Sequence, residues 1–589
     1  MFNFDFGPRL GPRSVEFRLW APLQKHIRLD VDGLEPVEMT REAGGWHRFE
    51  LDGVGAGSAY SFILENGLVV PDPASRFQPR DVHGPSEVID LASYQWIAND
   101  WTGREWEELV LYELHLGAFT KSGTFVAAIE RLDHLKELGV TGIQIMPVGD
   151  FPGQWGWGYD GVLPYAPDGN YGRPQDLQRL VDAAHQRGIC VFLDVVYNHF
   201  GPDGNYLSAY APLLTDRHKT PWGNGVNFDA EGSHFIREFV IQNAIYWVTQ
   251  FRLDGLRLDA VHAMNDDSKE HVLCELARRV RMAAGERTIH LVVENENNDS
   301  DLLRRDERGR APLFSAQWND DIHHVLHVAA TGETFGYYAD YGQGNETIGK
   351  AIAEGFVYQG EHMPYRGEMR GKSTKSLPPT AFVSFIQNHD QIGNRALGDR
   401  MAASHADDAL KAIAAIYLLA PQIPMVFMGE EWGAREPFPF FCDFNADLNE
   451  KVRSGRKKEL SRLPGFDADD LPDPTAETTF SSAKLDWANL AASAPWLRFY
   501  KDVLCVRHER IVPFLRKINA QGMFKVLSGG ALCVEWTASD GDTLVLLCNL
   551  SKSTVLLGDD AKLLPAFFST GSVTSGELSP WFVRWSIHR

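Results

Sequence analysis

Three acids in this 589-residue chain stand at the carboxyl ends of separate apolar runs: Asp259 in GLRLDAV, Glu294 in LVVEN and Asp390 just past FIQNH. A carboxylate set among Leu, Val and Ile is costly to bury without a partner. Taken singly, each could pair with an arginine or cap a following helix. Three at equivalent heights of one closed sheet would converge on a single space, which favours chemistry over coincidence. Glycoside cleavage fits several carboxyls with no thiol nucleophile, phosphate loop or metal cluster. One carboxylate attacks or stabilises the anomeric carbon, and one with a raised pKa protonates the leaving oxygen. A third can hold the hydroxyls of the flattening ring. FPGQWGWGYDGVLPYAP supplies aromatic rings on which sugar faces can stack, with Trp155 and Trp157 divided between platform and core.

Strands must position these acids, and the chain supplies eight candidates between Val110 and Glu431: VLYELHLGAF, GIQIMPV, CVFLDVVY, GLRLDAV, IHLVVEN, SAQWN, FVSFIQN and PMVFMGEE. Amphipathic stretches alternate with them, among them FVAAIERLDHLKELG, DLQRLVDAAHQRG and HFIREFVIQNAIYWVTQF. Strands apolar on both faces, in eight strand-helix repeats, predict an α/β fold, a closed (β/α)8 TIM barrel. Such a barrel takes about 250 residues, so a barrel over 101–513 leaves room for insertions. Two stand out, 200–233 after the third strand and 329–379 after the sixth; both are rich in Gly, Pro, Trp and Tyr, unlike a helix pattern, and are expected to shape a cleft. Short alternating runs with Gly punctuation over 1–100 predict an N-terminal β-sandwich of immunoglobulin-like type, and 514–589 a smaller C-terminal β domain.

The 57 Lys+Arg against 79 Asp+Glu give a net charge of −22, which would repel a phosphate backbone and excludes nucleic acid as the ligand. A hydrophobic fraction of 44% and an aromatic fraction of 11% exclude a disordered chain. The six cysteines form no CxxC and suit a reducing compartment. With no signal-type amino end and no run of about 18 apolar residues, a cytoplasmic protein without membrane contact is expected, acting as a monomer.

Four motifs, in order and on the expected strands, make the chain resemble the α-amylase superfamily, glycoside hydrolase family 13: DVVYNH from Asp194, GLRLDAVHA from Gly255, LVVEN from Leu291 and FIQNHD from Phe385. The resemblance implies that Asp259 is the nucleophile, Glu294 the general acid and then base, and Asp390 the holder of the distorted sugar, with His389 beside it. It implies further sugar contacts from Tyr159 by stacking, from His199 and from Arg257. Arg257 lies two residues before Asp259 on the same strand face, where its fixed charge keeps that carboxylate ionised. Asp194 is expected to orient Arg257. Glu296 competes with Glu294, since both would point to one side of an ideal strand. Glu294 is preferred because it ends the apolar run where the family pattern puts the acid. A pH profile with two limbs follows, from ionised Asp259 and protonated Glu294.

Departures from the common pattern narrow the substrate. His262 and Ala263 follow Asp259 where many α-amylases put Lys and His, facing the leaving-group side. Together with YELHLGAFT, PWGNGVNFD, NHDQIGNRALGDR and the leading sandwich, this resembles superfamily members that hydrolyse the α-1,4 bond next to a terminal α,α-trehalose, taking a maltooligosyltrehalose as substrate. Branching enzymes are the alternative by resemblance, but they generally carry an acid where Gln391 stands. An inactive glycan binder is the remaining reading, and it would need one of the three acids replaced. Carboxyls and water suffice for this chemistry, so no cofactor and no required metal is expected; Asp203 and Asn205 read as turn formers rather than calcium ligands.

Overall fold

Eight runs of buried residues pair side by side, all in parallel, until the last meets the first. They are β1 (Leu111–Leu114), β2 (Gly142–Ile145), β3 (Cys190–Val195), β4 (Gly255–Leu258), β5 (His290–Val293), β6 (Ala316–Trp318), β7 (Phe382–Ser384) and β8 (Ile423–Phe427). The computed structural model describes residues 2–342, 344–460, 471–558 and 563–589. The eight strands are the eight read from the sequence, and they close as a barrel when β8 pairs with β1. Every strand residue is buried because side chains fill one face and helices cover the other.

The covering layer includes α1 (Leu132–Leu138), α2 (Pro174–Gln186), α3 (Ser233–Gln250), α4 (Val272–Ala284) and α5 (Asp320–Thr331). Pro174 opens α2 where a missing N–H costs nothing, and the Asp176 carboxylate accepts the Arg173 N–H at 3.0 Å. No apolar stripe marks α3, because it is covered on both sides: Phe239 and Tyr246 meet Phe6 and Phe4 from the amino end. The expectation of eight strand-helix repeats fails at one place. Between β5 and β6 the chain makes only a 3₁₀ turn, Ser300–Leu303. The stretch ENENNDSDLLRRDERGRAP has no helical apolar period to bury.

The first insertion carries an antiparallel hairpin, Leu214–Thr220 with Gly223–Val226. The second also carries a hairpin, Glu361–Met363 with Glu368–Arg370. Against expectation it includes a helix, α6 (Asn345–Glu354), whose buried Ile348, Ala351 and Ile352 follow an i, i+3, i+4 pattern masked by the glycines and tyrosines around it. Gly349 has to be glycine: a Cβ there would lie 2.3 Å from the Phe524 ring of the C-terminal sheet.

The amino end forms a four-stranded and a five-stranded sheet that face each other, with Phe17 of one against Tyr60 of the other at 4.8 Å. The helical layer is completed by α7 (Asp407–Leu419) between β7 and β8 and by α8 (Ala494–Val506) after β8. The carboxyl end folds as a five-stranded and a three-stranded sheet, the larger tied to α7 by Trp585 Nε1 donating to the Ala415 carbonyl at 3.1 Å. No helix among the described residues is long and apolar enough to cross a membrane.

Candidate active site

Arg257 is the centre from which the site is built. Its position on β4 is opposite Asp194 of β3 in the sheet register, and both side chains are fully buried. Nη1 donates to Asp194 Oδ2 at 2.6 Å and to Asp259 Oδ1 at 2.9 Å, while Nη2 donates to Glu294 Oε2 at 2.7 Å. One guanidinium fork thus holds both carboxyls that end β4 and β5, confining them to the span of a single planar group. The Trp318 ring of β6 lies under this cation at 4.2 Å. Asp194 thus backs Arg257 from behind, and it also accepts from the Tyr159 hydroxyl at 2.8 Å.

The backbone after Asp259 is bent to serve the neighbouring acid. Ala260 takes a left-handed φ of 39°, and its N–H donates to Glu294 Oε2 at 3.0 Å. A non-glycine residue in that region is strained by about 1–3 kcal/mol, and such strain clusters at functional sites. Asn198, the residue before His199, donates from Nδ2 to Asp259 Oδ2 at 3.1 Å, so both oxygens of Asp259 have donors. Glu294 and Glu296 do not share a strand face, because β5 ends at Val293 and Glu296 lies in the loop beyond. Glu296 is exposed and paired with Arg366 at 2.9 Å, whereas Glu294 is held by Arg257 and the Ala260 amide. Burial pushes the Glu294 carboxyl well above the ordinary range, with Asp259, Asp390 and Asp320 adding to the rise and Arg257 opposing it.

Asp390 follows β7 across the barrel mouth. His389 Nε2 lies 3.3 Å from Asp390 Oδ2, and Nδ1 lies 2.7 Å from Glu113 Oε1 of β1. Burial alone would drive the imidazole neutral, but Asp390 and Glu113 together hold its pKa well above the ordinary value. Burial would likewise raise Asp390, yet the His389 charge, then Arg257, keep its carboxyl below the usual range. The Tyr159 hydroxyl donates to Asp194 at 2.8 Å and accepts from His389 Nε2 at 2.8 Å, and the two rings stack with centroids 5.1 Å apart. Tyr159 is placed by Gly158, whose φ of 96° and approach to Pro147, where a Cβ would come 2.1 Å from the carbonyl oxygen, admit no side chain. Glu113 was not singled out from the sequence, although an acid inside VLYELHL carries the same signal as the strand-end acids.

These residues floor a cleft of two lobes. The larger, of about 890 Å³, is bordered by Tyr159, His199, Trp222, Asp259 and His262; the smaller, of about 350 Å³, by Asp320, His324, Tyr337, Arg366 and Gln391. Glu294 and Asp390 border both. His199 stacks flat on Trp222 from the first insertion's hairpin, centroids 4.5 Å apart, and burial pushes its pKa down against the pull of Asp259. His262 lies on the wall of the larger lobe, its Nδ1 buried without a hydrogen-bond partner among the described residues. Trp157 borders that lobe edge-on to His389, but Trp155 stacks on Phe480 instead. Asp320 was missed because its acid opens a helix rather than ending an apolar run. Burial lifts its carboxyl to about 7.

The oxygens weighed as calcium ligands have other partners: Asp203 accepts from Asn445 and faces His83, and Asn205 accepts the Leu207 N–H. Among the described residues, His218, Asp229 and Asp267 bring ligand atoms within 4.8 Å of one another, but Arg217 already pairs with Asp267 at 2.9 Å and lies 3.6 Å from Asp229.

Residues 96–213 match the family described as alpha amylase, catalytic domain, and 521–585 match a domain of unknown function. The chain is 43% identical over 552 residues to the malto-oligosyltrehalose trehalohydrolase of Deinococcus radiodurans, covering 93% of this chain and 89% of that one. It is 41% identical to the enzyme of the same name from Saccharolobus solfataricus, covering 88% and 89%. A crystal structure from Salmonella typhimurium, assigned provisionally as an alpha amylase, superposes with a TM-score of 0.95 at 44% identity over the full length of both chains. The 1,4-alpha-glucan branching enzyme GlgB of Corynebacterium jeikeium matches at 32% over only 43% of this chain and 38% of its own.

Proposed function

The chain belongs to the malto-oligosyltrehalose trehalohydrolase family of alpha-amylase-type glycoside hydrolases, and on that premise we propose how its cleft divides the reaction among named residues. The substrate is a maltooligosaccharide ending in α,α-trehalose, and the α-1,4-glucosidic bond next to the trehalose is hydrolysed. Asp259 Oδ attacks the anomeric carbon as the C1–O bond breaks, and Glu294 gives its proton to the departing oxygen. Water then attacks the glycosyl enzyme, Glu294 takes a proton from it, and the bond to Asp259 breaks with net retention.

The shared Arg257 fork carries this reading. A retaining enzyme needs its two carboxyls about 5–5.5 Å apart, and two carboxyls gripped by one guanidinium suit that spacing. Asp390, charged and backed by protonated His389, holds the ring hydroxyls, while Tyr159 stacks beneath the ring, His199 completes the pocket around it, and His262, 4.0 Å from Glu296 where the lobes meet, faces the leaving-group side. Asp259 borders only the larger lobe and Glu294 borders both, so the leaving trehalose occupies the smaller lobe, on the acid's side. The protein works as a monomer in the cytoplasm, where its six free cysteines stay reduced.

Maltotriosyltrehalose and maltopentaose offered side by side test the function. Preferential release of trehalose is expected; new α-1,6 branches, or equal cleavage of both, would overturn it.

A further inference from the structure

Two adjacent acids at the start of α5 meet different surroundings. Asp321 is fully buried and answered by Arg370 at 2.8 Å, by the Tyr341 hydroxyl and by the Val357 N–H. Its role is complete within the fold. Asp320 borders the smaller lobe and forms no ion pair among the described residues. Its one side-chain partner among the described residues is Gln391, whose Nε2 donates to Oδ1 at 3.5 Å. Arg370 pulls on Asp320 only from a distance, its ion pair being with Asp321, so this carboxyl at the wall of a sugar-sized lobe has lost hydration and gained one long hydrogen bond in return. Ligand hydroxyls would supply what it lacks.

Gln391 completes the pair. Its own backbone N–H donates to Asn388 Oδ1 at 2.8 Å, which fixes it beside Asp390, and its amide carbonyl has no protein donor among the described residues. The neutral amide separates Asp320 from Asp390, where an acid would place a third negative charge. Both residues sit on junctions of barrel strands with helices, β6 with α5 and β7 with the short helix His389–Gly393. Groups on such rigid elements discriminate by geometry.

We propose that Asp320 and Gln391 form the hydroxyl-reading pair that selects a trehalose-ended substrate over a plain maltooligosaccharide. This rests on the function proposed above. Trehalose joins its rings through both anomeric carbons, so its second ring presents 2-, 3-, 4- and 6-hydroxyls in an orientation that an α-1,4-linked ring cannot reproduce. Asp320 accepts from neighbouring hydroxyls of the leaving disaccharide, and the Gln391 carbonyl accepts another. A site built to bond hydroxyls rejects a ligand that misplaces them, because its own polar groups are then left unpaired.

The test is the ratio of kcat/KM for maltotriosyltrehalose to that for maltopentaose, in the wild type and in Asp320→Asn, Asp320→Ala and Gln391→Ala. A ratio taken within one preparation is insensitive to any fraction that fails to fold. Each variant is expected to lower it, Asp320→Ala by about ten- to hundredfold, and to weaken inhibition by free trehalose by a similar factor. Ratios unchanged within twofold in all three variants would overturn the pair's role while leaving the enzyme a trehalohydrolase. A wild type without preference would refute the underlying function, and this inference with it.

Discussion

Asp194 and Arg257 face each other in register across β3 and β4, and their fully buried side chains meet at 2.6 Å. A buried ion pair adds little net stability, because desolvation offsets the attraction. What the pair does instead is aim the guanidinium: with Asp194 behind it, the fork points toward Asp259 and Glu294 and is stacked on Trp318. The charge shared by Asp259 and Glu294 is thus set from the neighbouring strand.

Removing that support leaves the buried Arg257 charge to Asp259 and Glu294 alone, and breaks its shortest contact. Asp194→Ala is expected to destabilise the protein by about 3–5 kcal/mol, read as a lower denaturant midpoint. It should also cut kcat by about a hundredfold through misplacement of Arg257. Wild-type kcat in a folded Asp194→Ala enzyme would mean that Arg257 needs no such anchor.

The acid role proposed for Glu294 requires its protonated form, and burial with three nearby carboxyls holds its pKa well above 4.5. Activity is therefore present below that raised pKa and falls as pH climbs through it. Glu294→Gln should lose turnover of natural substrate yet retain much more activity on an α-maltosyl fluoride, whose leaving group needs no proton. The alkaline limb should vanish with that substrate. An equal loss on both substrates would transfer the acid's role elsewhere, Glu296 being the nearest candidate.

Glu113 supports His389 from β1, one strand removed from β7 in the closed sheet, and the fold holds that imidazole well above its unfolded pKa of 6.5. A raised pKa means that the stabilisation is fully present below about 6.5 and fades as pH rises through the folded value. Glu113→Gln removes one of the two acids that keep His389 charged. The variant should be less stable than wild type at pH 6, by about 1–3 kcal/mol, with the gap narrowing at alkaline pH. Its His389 ring signal, followed by NMR, should titrate at lower pH than in the wild type; an unshifted titration would remove Glu113 from the network.

The strand-end acids were legible because an acid that terminates an apolar run has few structural excuses. The eight strands were legible because each is buried on both faces. What the sequence hid depends on partners far along the chain. Glu113 meets His389 across 276 residues, and nothing in VLYELHL names that partner. Trp222 lies in a hairpin whose register alone brings it onto His199. Asp320 reads as a helix-opening acid, and only the barrel's curvature turns it into the cleft. The missing helix between β5 and β6 was written in a polar stretch, yet the regularity of the other repeats hid it.

Ala260 offers a test of strain in the service of chemistry. At a φ of 39° glycine is the less strained residue, so Ala260→Gly relieves the fold by about 1 kcal/mol. Glycine also enlarges the unfolded ensemble by about 0.4–1 kcal/mol, and the two terms nearly cancel. Stability should therefore stay within about 1 kcal/mol of wild type. Activity should not: a looser turn no longer holds the Ala260 N–H 3.0 Å from Glu294 Oε2. That bond favours the ionised acid, so weakening it moves the alkaline limb to higher pH while kcat falls several-fold. A variant with both kcat and limb unchanged would show that the bend is a packing compromise and that Arg257 alone positions the acid.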